Sequence, residues 1–249
     1  MTPDITAMLF HSVINVTPPK QLNKQLYLDI NNFAKQTSFA HGFMHAYALW
    51  LGPTLLTIIF IFLYLKSWLN NITKVTIALF AGGLGTLLAL LVNQFIGRSV
   101  EEKRPYDTFK NALVLVGKTN DYSFPSDHAV LAGALLATIA LAIWQLKKSE
   151  AIQNSAVFLP VGKKYSHKST VLSPKFRYYV LSGSVFLALF LCFARVYVGA
   201  HYPGDVIAGI LEGALVAMVI SLIRFPIENL MDHHKSLFIR KIFAVSKNS

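Results

Sequence analysis

The chain has 249 residues, of which 54% are hydrophobic and 14% charged, whereas soluble domains carry roughly 25% charged residues, so a single polytopic membrane domain is expected. Net charge is +11, from 23 Lys and Arg against 12 Asp and Glu. That excess suits cytoplasmic loops and anionic lipid surfaces rather than nucleic acid, and the single cysteine, Cys192 in an apolar run, excludes a disulfide framework.

The first twenty residues lack a basic start, a sustained apolar core and a small-residue cleavage site, so no cleavable signal peptide is expected and insertion falls to the first true span. Over residues 21–41, Leu22, Leu26, Leu28, Ile30 and Phe33 alternate with Asn, Gln, Lys and Asp. That pattern predicts an amphipathic helix lying in the membrane interface, with packing on the bundle as a partial sixth helix the alternative. Five segments are then long and apolar enough to cross a bilayer: 43–65, 74–97, 128–146, 178–198 and 205–225. Gly82, Gly83 and Gly85, like Gly209 and Gly213, invite close helix contact, and Trp50 and Trp68 sit where interfacial aromatics belong. The fold expected is all-α, a polytopic bundle of about five transmembrane helices plus the amphipathic helix. It divides into an N-terminal segment (1–42), a membrane domain (43–225) and a basic cytoplasmic tail (226–249).

Loop charge sets the orientation. Lys147, Lys148, Lys163, Lys164, Lys168, Lys175 and Arg177 crowd the loop 147–177, and Lys235, Arg240, Lys241 and Lys247 the tail, while Lys66 and Lys74 flank the first connection. In a five-span arrangement these lie on one side, and the positive-inside rule makes it cytoplasmic. The loops 98–127 and 199–204 then face outward. The loop 149–176 is expected to be the most mobile segment.

Three clusters fall on the outward side. Arg98, Lys103 and Arg104-Pro105 follow the second span. Phe124-Pro-Ser-Asp-His128 opens the third. Arg195, His201 and Asp205 bridge the fourth and fifth. Ionisable residues at a membrane boundary are costly unless paired or solvated, which marks such a group as functional. Arginine grips phosphate through parallel hydrogen bonds, and a helix mouth with free N–H groups accepts anions. A histidine supported by a carboxylate at i+4 can act as nucleophile, and a second histidine as proton donor. Read singly, each cluster also has a plain structural reading: Ser126 or Asp127 as a helix cap, Asp205 as a dipole partner, 98–104 as a solvated charge run. Together they suit phosphoryl transfer.

In order and spacing the clusters resemble the type 2 phosphatidic acid phosphatase (PAP2) superfamily, whose pattern is Lys-x6-Arg-Pro, Pro-Ser-Gly-His and Ser-Arg-x5-His-x3-Asp. Arg104-Pro105 matches the end of the first motif, Pro125-Ser126-x-His128 most of the second, and Arg195, His201 and Asp205 all of the third but its serine. The resemblance covers roughly residues 40–225. It implies that His201 is the nucleophile, Asp205 its orienting partner and His128 the general acid, with Arg104, Arg195 and Ser126 holding phosphate. Three positions depart from the pattern: Gly97 stands at the lysine, Asp127 at the glycine and Ala194 at the serine. Arg98, six residues before Arg104, is the expected substitute for the lysine, with Lys103 the other choice. Asp127, counted with the phosphate-site residues, is expected to favour a differently charged head group or to adjust the pKa of His128. The Pro-Ser-Asp-His variant looks like the bacitracin-resistance branch, the undecaprenyl diphosphate phosphatases of cell-wall synthesis. The resemblance thus implies a bacterial plasma-membrane phosphatase with an outward-facing site. Its expected partners are a lipid phosphate substrate and membrane lipids, it uses no cofactor or metal, and it passes through a phosphohistidine. Phosphatidylglycerophosphate or phosphatidic acid are alternative substrates, and a non-catalytic transporter or head-group-binding protein is a weaker alternative.

Overall fold

The computed structural model describes residues 19–156 and 172–223, which are helical and irregular, with no strand among them. We label the helices α1 (Pro19–Gln36), α2 (Ser38–Leu69), α3 (Thr73–Val100), α4 (Pro105–Thr108), α5 (Asp127–Ala156), α6 (Pro174–Tyr197) and α7 (Pro203–Ile223). Five of them, α2, α3, α5, α6 and α7, are long and apolar enough to cross a membrane, as the hydrophobic segments predict. Local chemistry sets several ends. Ser173 caps α6 by accepting the Phe176 N–H at 3.3 Å, ahead of Pro174 at the first helical position. Helix α3 stops where Glu101 turns left-handed, at φ 53°, and its N–H closes on the Gly97 carbonyl at 2.9 Å. The first 18 residues, most of the basic loop 149–176 and the tail 226–249 lie outside the described residues, so the expectations placed on them have no structural counterpart.

Helix α5 is the centre of the bundle and packs on α2, α3 and α6. Lipid supplies no hydrophobic drive between helices, so close backbone approach must hold them. A Cβ on Gly133 would lie 2.2 Å from the Ile210 carbonyl, and one on Gly213 2.0 Å from the Val130 carbonyl. Here α5 and α7 touch backbone to backbone, which no larger residue permits. Gly82 similarly admits Thr138, whose Cγ2 is 2.2 Å from where a Cβ would stand.

Helix α1 packs on the end of this bundle that carries the loop after α3 and the start of α7. Its Tyr27, Asn31 and Ala34 are buried, while Leu22, Leu26 and Phe33 remain exposed. Asn31 pairs with the Leu113 backbone through both amide atoms, at 2.8 and 2.9 Å, and Asn23 accepts the Gly204 N–H at 2.7 Å. The amphipathic reading thus resolves into two faces. One side clamps the loops of the site, and an apolar stripe is left exposed.

Candidate active site

The site forms at the end of the bundle where the loop after α3 meets the first turns of α5 and α7 and the last turn of α6. Between α6 and His201 the chain turns at Gly199, φ 82°, where a Cβ would stand 2.4 Å from the Leu113 carbonyl. The Leu115 N–H donates to the Val198 carbonyl at 3.0 Å and fixes that turn. The close contact of α5 with α7 brings their N-termini together, and the Ser126 N–H reaches the Asp205 carbonyl at 3.2 Å.

His201 is 2% exposed. Its Nδ1 lies 2.7 Å from the Ser123 carbonyl, and a carbonyl only accepts, so Nδ1 carries the proton. Its Nε2 faces two guanidiniums, Arg195 Nη2 at 3.2 Å and Arg104 Nη1 at 3.4 Å, which only donate. Burial, with Arg195 and Arg104 beside it, holds the imidazole well below its ordinary pKa. The ring is therefore neutral, with a lone pair on Nε2 between two cations.

Asp205 does not orient His201 directly. Its Oδ2 is 3.6 Å from Nδ1, beyond a hydrogen bond. The reason is its place as third residue of α7: Oδ2 reaches back to the Tyr202 N–H at 2.8 Å, as an acid at that position does in a capping box. The same oxygen accepts the Ser123 hydroxyl at 2.5 Å. Asp205 thus holds Ser123, and Ser123 holds the imidazole. The sequence reading missed Ser123, because a serine in a loop carries no signal of its own.

Arg104 is pinned on both sides. Its Nε and Nη2 each stand 3.0 Å from Asp121 Oδ1, and Nη1 donates to the Ala200 carbonyl at 3.1 Å. Burial raises the Asp121 carboxyl, but the Thr119 hydroxyl and Arg104 outweigh it, so its pKa falls below the ordinary range. Asp121 is a second residue the motif reading passed over. The buried Ser126 hydroxyl and the Nε of Arg195 have no protein partner. Ser126 precedes α5 without making the cap bond that a serine there suggests. His128, in the first turn of α5, lies within electrostatic reach of Arg195, His201 and Arg104. Asp127 turns aside instead, accepting from Asn93 and, at 3.0 Å, from Gln94 on α3.

The substitutes for the lysine are not drawn in. Arg98, in the last turn of α3, and Lys103 are both exposed, and the helix ends between Arg98 and Arg104, so helical spacing does not relate them. Gly97 itself is confined, since a Cβ there would meet the Phe124 carbonyl at 3.2 Å. Both cations at the imidazole come from Arg104 and Arg195. Among the described residues no three His, Cys, Asp or Glu gather as a metal would need.

Comparison with known proteins adds the following. The sequence profile of the PAP2 superfamily matches residues 78–228. Undecaprenyl-diphosphatase BcrC of Bacillus subtilis is 25% identical over 181 residues, 73% of this chain and 74% of that protein. Lipid A 1-phosphatase of Rhizobium johnstonii is 28% identical over 158 residues, 63% of this chain and 48% of that one. An undecaprenyl-diphosphatase of Sulfolobus acidocaldarius is 24% identical over 53% of this chain and 48% of its own. The aligned regions thus span about half the length of the last two relatives. In fold, the chain is similar to a transmembrane PAP2-type phosphatidylglycerolphosphate phosphatase from Bacillus subtilis, with a TM-score of 0.55, 17% identity and coverage of 87% and 90% of the two chains.

Proposed function

The chain belongs to the PAP2 superfamily, and on that premise we propose that it is a membrane phosphatase removing the terminal phosphate of a lipid diphosphate, undecaprenyl diphosphate in particular. The observation that carries this reading is the neutral His201 whose Nε2 stands between two guanidiniums at 3.2 and 3.4 Å. In the reaction, Nε2 bonds to the terminal phosphorus as the bond to the leaving oxygen breaks, and His128 gives that oxygen its proton. Arg104, Arg195 and the Ser126 hydroxyl take the charge on the equatorial oxygens, which is most of what phosphoryl transfer asks of a protein. His128 then takes a proton from water, which displaces phosphate from His201. Ser123 and Asp205 hold the nucleophile throughout.

The diphosphate substrate is supported by the Bacillus relative, matched over nearly three quarters of both chains, 73% and 74%. Phosphatidylglycerophosphate and phosphatidic acid are the runner-up substrates, the first favoured by the fold neighbour. An outward-facing site in a bacterial plasma membrane belongs to the same reading and rests on the basic residues Lys66, Lys147, Lys148 and Lys175 at the opposite end. Phosphate release from a panel of lipid phosphates, by protein purified in detergent, tests the reading. Undecaprenyl diphosphate should be the best substrate, and His201→Ala should reduce release to background. Retention of more than about a tenth of the wild-type rate by that variant would remove His201 from its role. Labelling of a cysteine at Lys110 by an impermeant reagent only from the cytoplasmic side would reverse the orientation.

A further inference from the structure

Helix α2 is not one continuous α-helix. It begins as a 3-10 turn over Ser38–Ala40, runs as α over His41–Ala46, widens to a π-turn over Tyr47–Leu51 and resumes α at Gly52. The sequence supplies the cause at Pro53. In an α-helix the Leu49 carbonyl takes the N–H of residue 53, and proline has none. The N–H before it, that of Gly52, bonds the Tyr47 carbonyl five residues back, not that of Ala48. Ala48 therefore loses both choices, because its i+4 donor has gone to Tyr47 and its i+5 donor would be Pro53. Two successive carbonyls are left without their α-helical donors.

Such groups must find partners elsewhere in a bilayer-spanning helix, and the active site lies against both. The Ala48 carbonyl accepts Arg195 Nη1 at 3.5 Å. The Leu49 backbone lies beside the His128 ring, and its carbonyl is the group that Pro53 leaves available. π-turns inside α-helices occur often at functional sites. We infer that the π-turn imposed by Pro53 is a positioning element, whose freed carbonyls aim His128 and Arg195 at the reacting phosphate. This rests on the roles given to those residues above and adds what sets their direction. The Leu49 carbonyl would take one ring N–H of His128 and leave the other ring nitrogen to face the leaving oxygen.

Pro53→Ala returns an N–H to position 53 and lets the ordinary register close. On the lipid substrate, kcat should fall about tenfold to a hundredfold with KM little changed, the size of effect produced by misplacing a catalytic group by an ångström. On p-nitrophenyl phosphate, whose leaving group needs no proton, the loss should be much smaller. The decisive arm replaces Pro53 by lactic acid through nonsense suppression. The resulting ester lacks both the ring and the N–H, and should restore kcat close to that of the wild type. A wild-type rate for Pro53→Ala, or an ester variant as impaired as the alanine variant, overturns the inference while leaving the phosphatase reading intact. Should Pro53→Ala fail to fold, the ester variant decides: a rate near wild type supports the inference and a depressed one overturns it. An inactive wild type sinks the functional reading itself.

Discussion

Helix α6 carries a buried arginine at each end, and the two behave differently. Arg177, in its first turn, is 6% exposed, donates its Nε to the Leu172 carbonyl at 3.0 Å and has further partners. Arg195, in its last turn, is 5% exposed, yet its Nε bonds nothing and its Nη2 faces an imidazole nitrogen at 3.2 Å. Residue type, helix and burial are shared. What separates them is bonding capacity left unused by the protein. A buried guanidinium costs several kcal/mol in desolvation unless its N–H groups are answered. Arg177 is answered by its own end of the bundle and works as structure. Arg195 keeps donors in reserve, which makes sense if a phosphate answers them.

The sharpest way to break this comparison is to remove each arginine. Arg195→Ala should lower kcat/KM by about a hundredfold to a thousandfold, the cost of losing one donor to transition-state charge, and lower the melting temperature only slightly, because the Ala48 carbonyl it releases is held at a long 3.5 Å. Arg177→Ala should do the reverse. With the Leu172 carbonyl left unanswered, it should lose about 1–3 kcal/mol of stability, while the folded fraction turns over normally. A thermal melt and a steady-state assay on both variants decide it, and a catalytic loss for Arg177→Ala at unchanged stability would dissolve the distinction.

A smaller effect sharpens the picture at Arg104. Asp121→Asn keeps the shape but removes the charge that pins Arg104, so kcat/KM should drop by about tenfold, the low end for a charge-assisted bond because Asp121 is half in solvent. The pH dependence has a definite sign. The folded carboxyl titrates below its ordinary value, so the tether is present above the unfolded carboxyl pKa of about 3.9 and is lost only as pH falls through the lower folded value. The wild-type profile should therefore show no inflection from Asp121 at neutral pH, and one that vanished in Asp121→Asn would contradict the assignment.

The smallest effects are expected at the rim. Arg98→Ala and Lys103→Ala should each change kcat/KM by less than about threefold at moderate salt, since exposed charges act weakly through solvent. A loss comparable to that of Arg195→Ala in a steady-state assay would mean that Arg98 swings inward to replace the lysine missing at Gly97.

Much of this was legible in the chain. The five spans follow from runs of Leu, Ile, Val, Ala and Phe that only a bilayer or a deep core accommodates. The histidines, Arg104 and Arg195 stood out because ionisable groups beside such runs need a reason to be there. Less visible were the groups that bond through ordinary residues. Ser123 orients His201 through its backbone carbonyl, which every residue possesses. Asp121 meets Arg104 across a loop whose path no periodicity encodes. The expectation for Arg98 rested on its interval to Arg104, which says nothing of where the side chain points, and Arg98 stands exposed in the last turn of α3.

Residue chemistry and spacing alone therefore determined that this is a helical membrane protein with a cationic, histidine-bearing site, since transfer energetics and side-chain charge belong to each residue wherever it lies. Tertiary structure decided which cations reach the imidazole, which oxygen holds its proton and which buried donors stay unanswered. Those depend on directions and separations of a few tenths of an ångström, set by backbone contact at Gly133 and Gly213 and by the turn at Gly199. Hydrogen bonds weaken steeply over such distances and angles, so function at this site is decided at a scale that a sequence pattern does not carry.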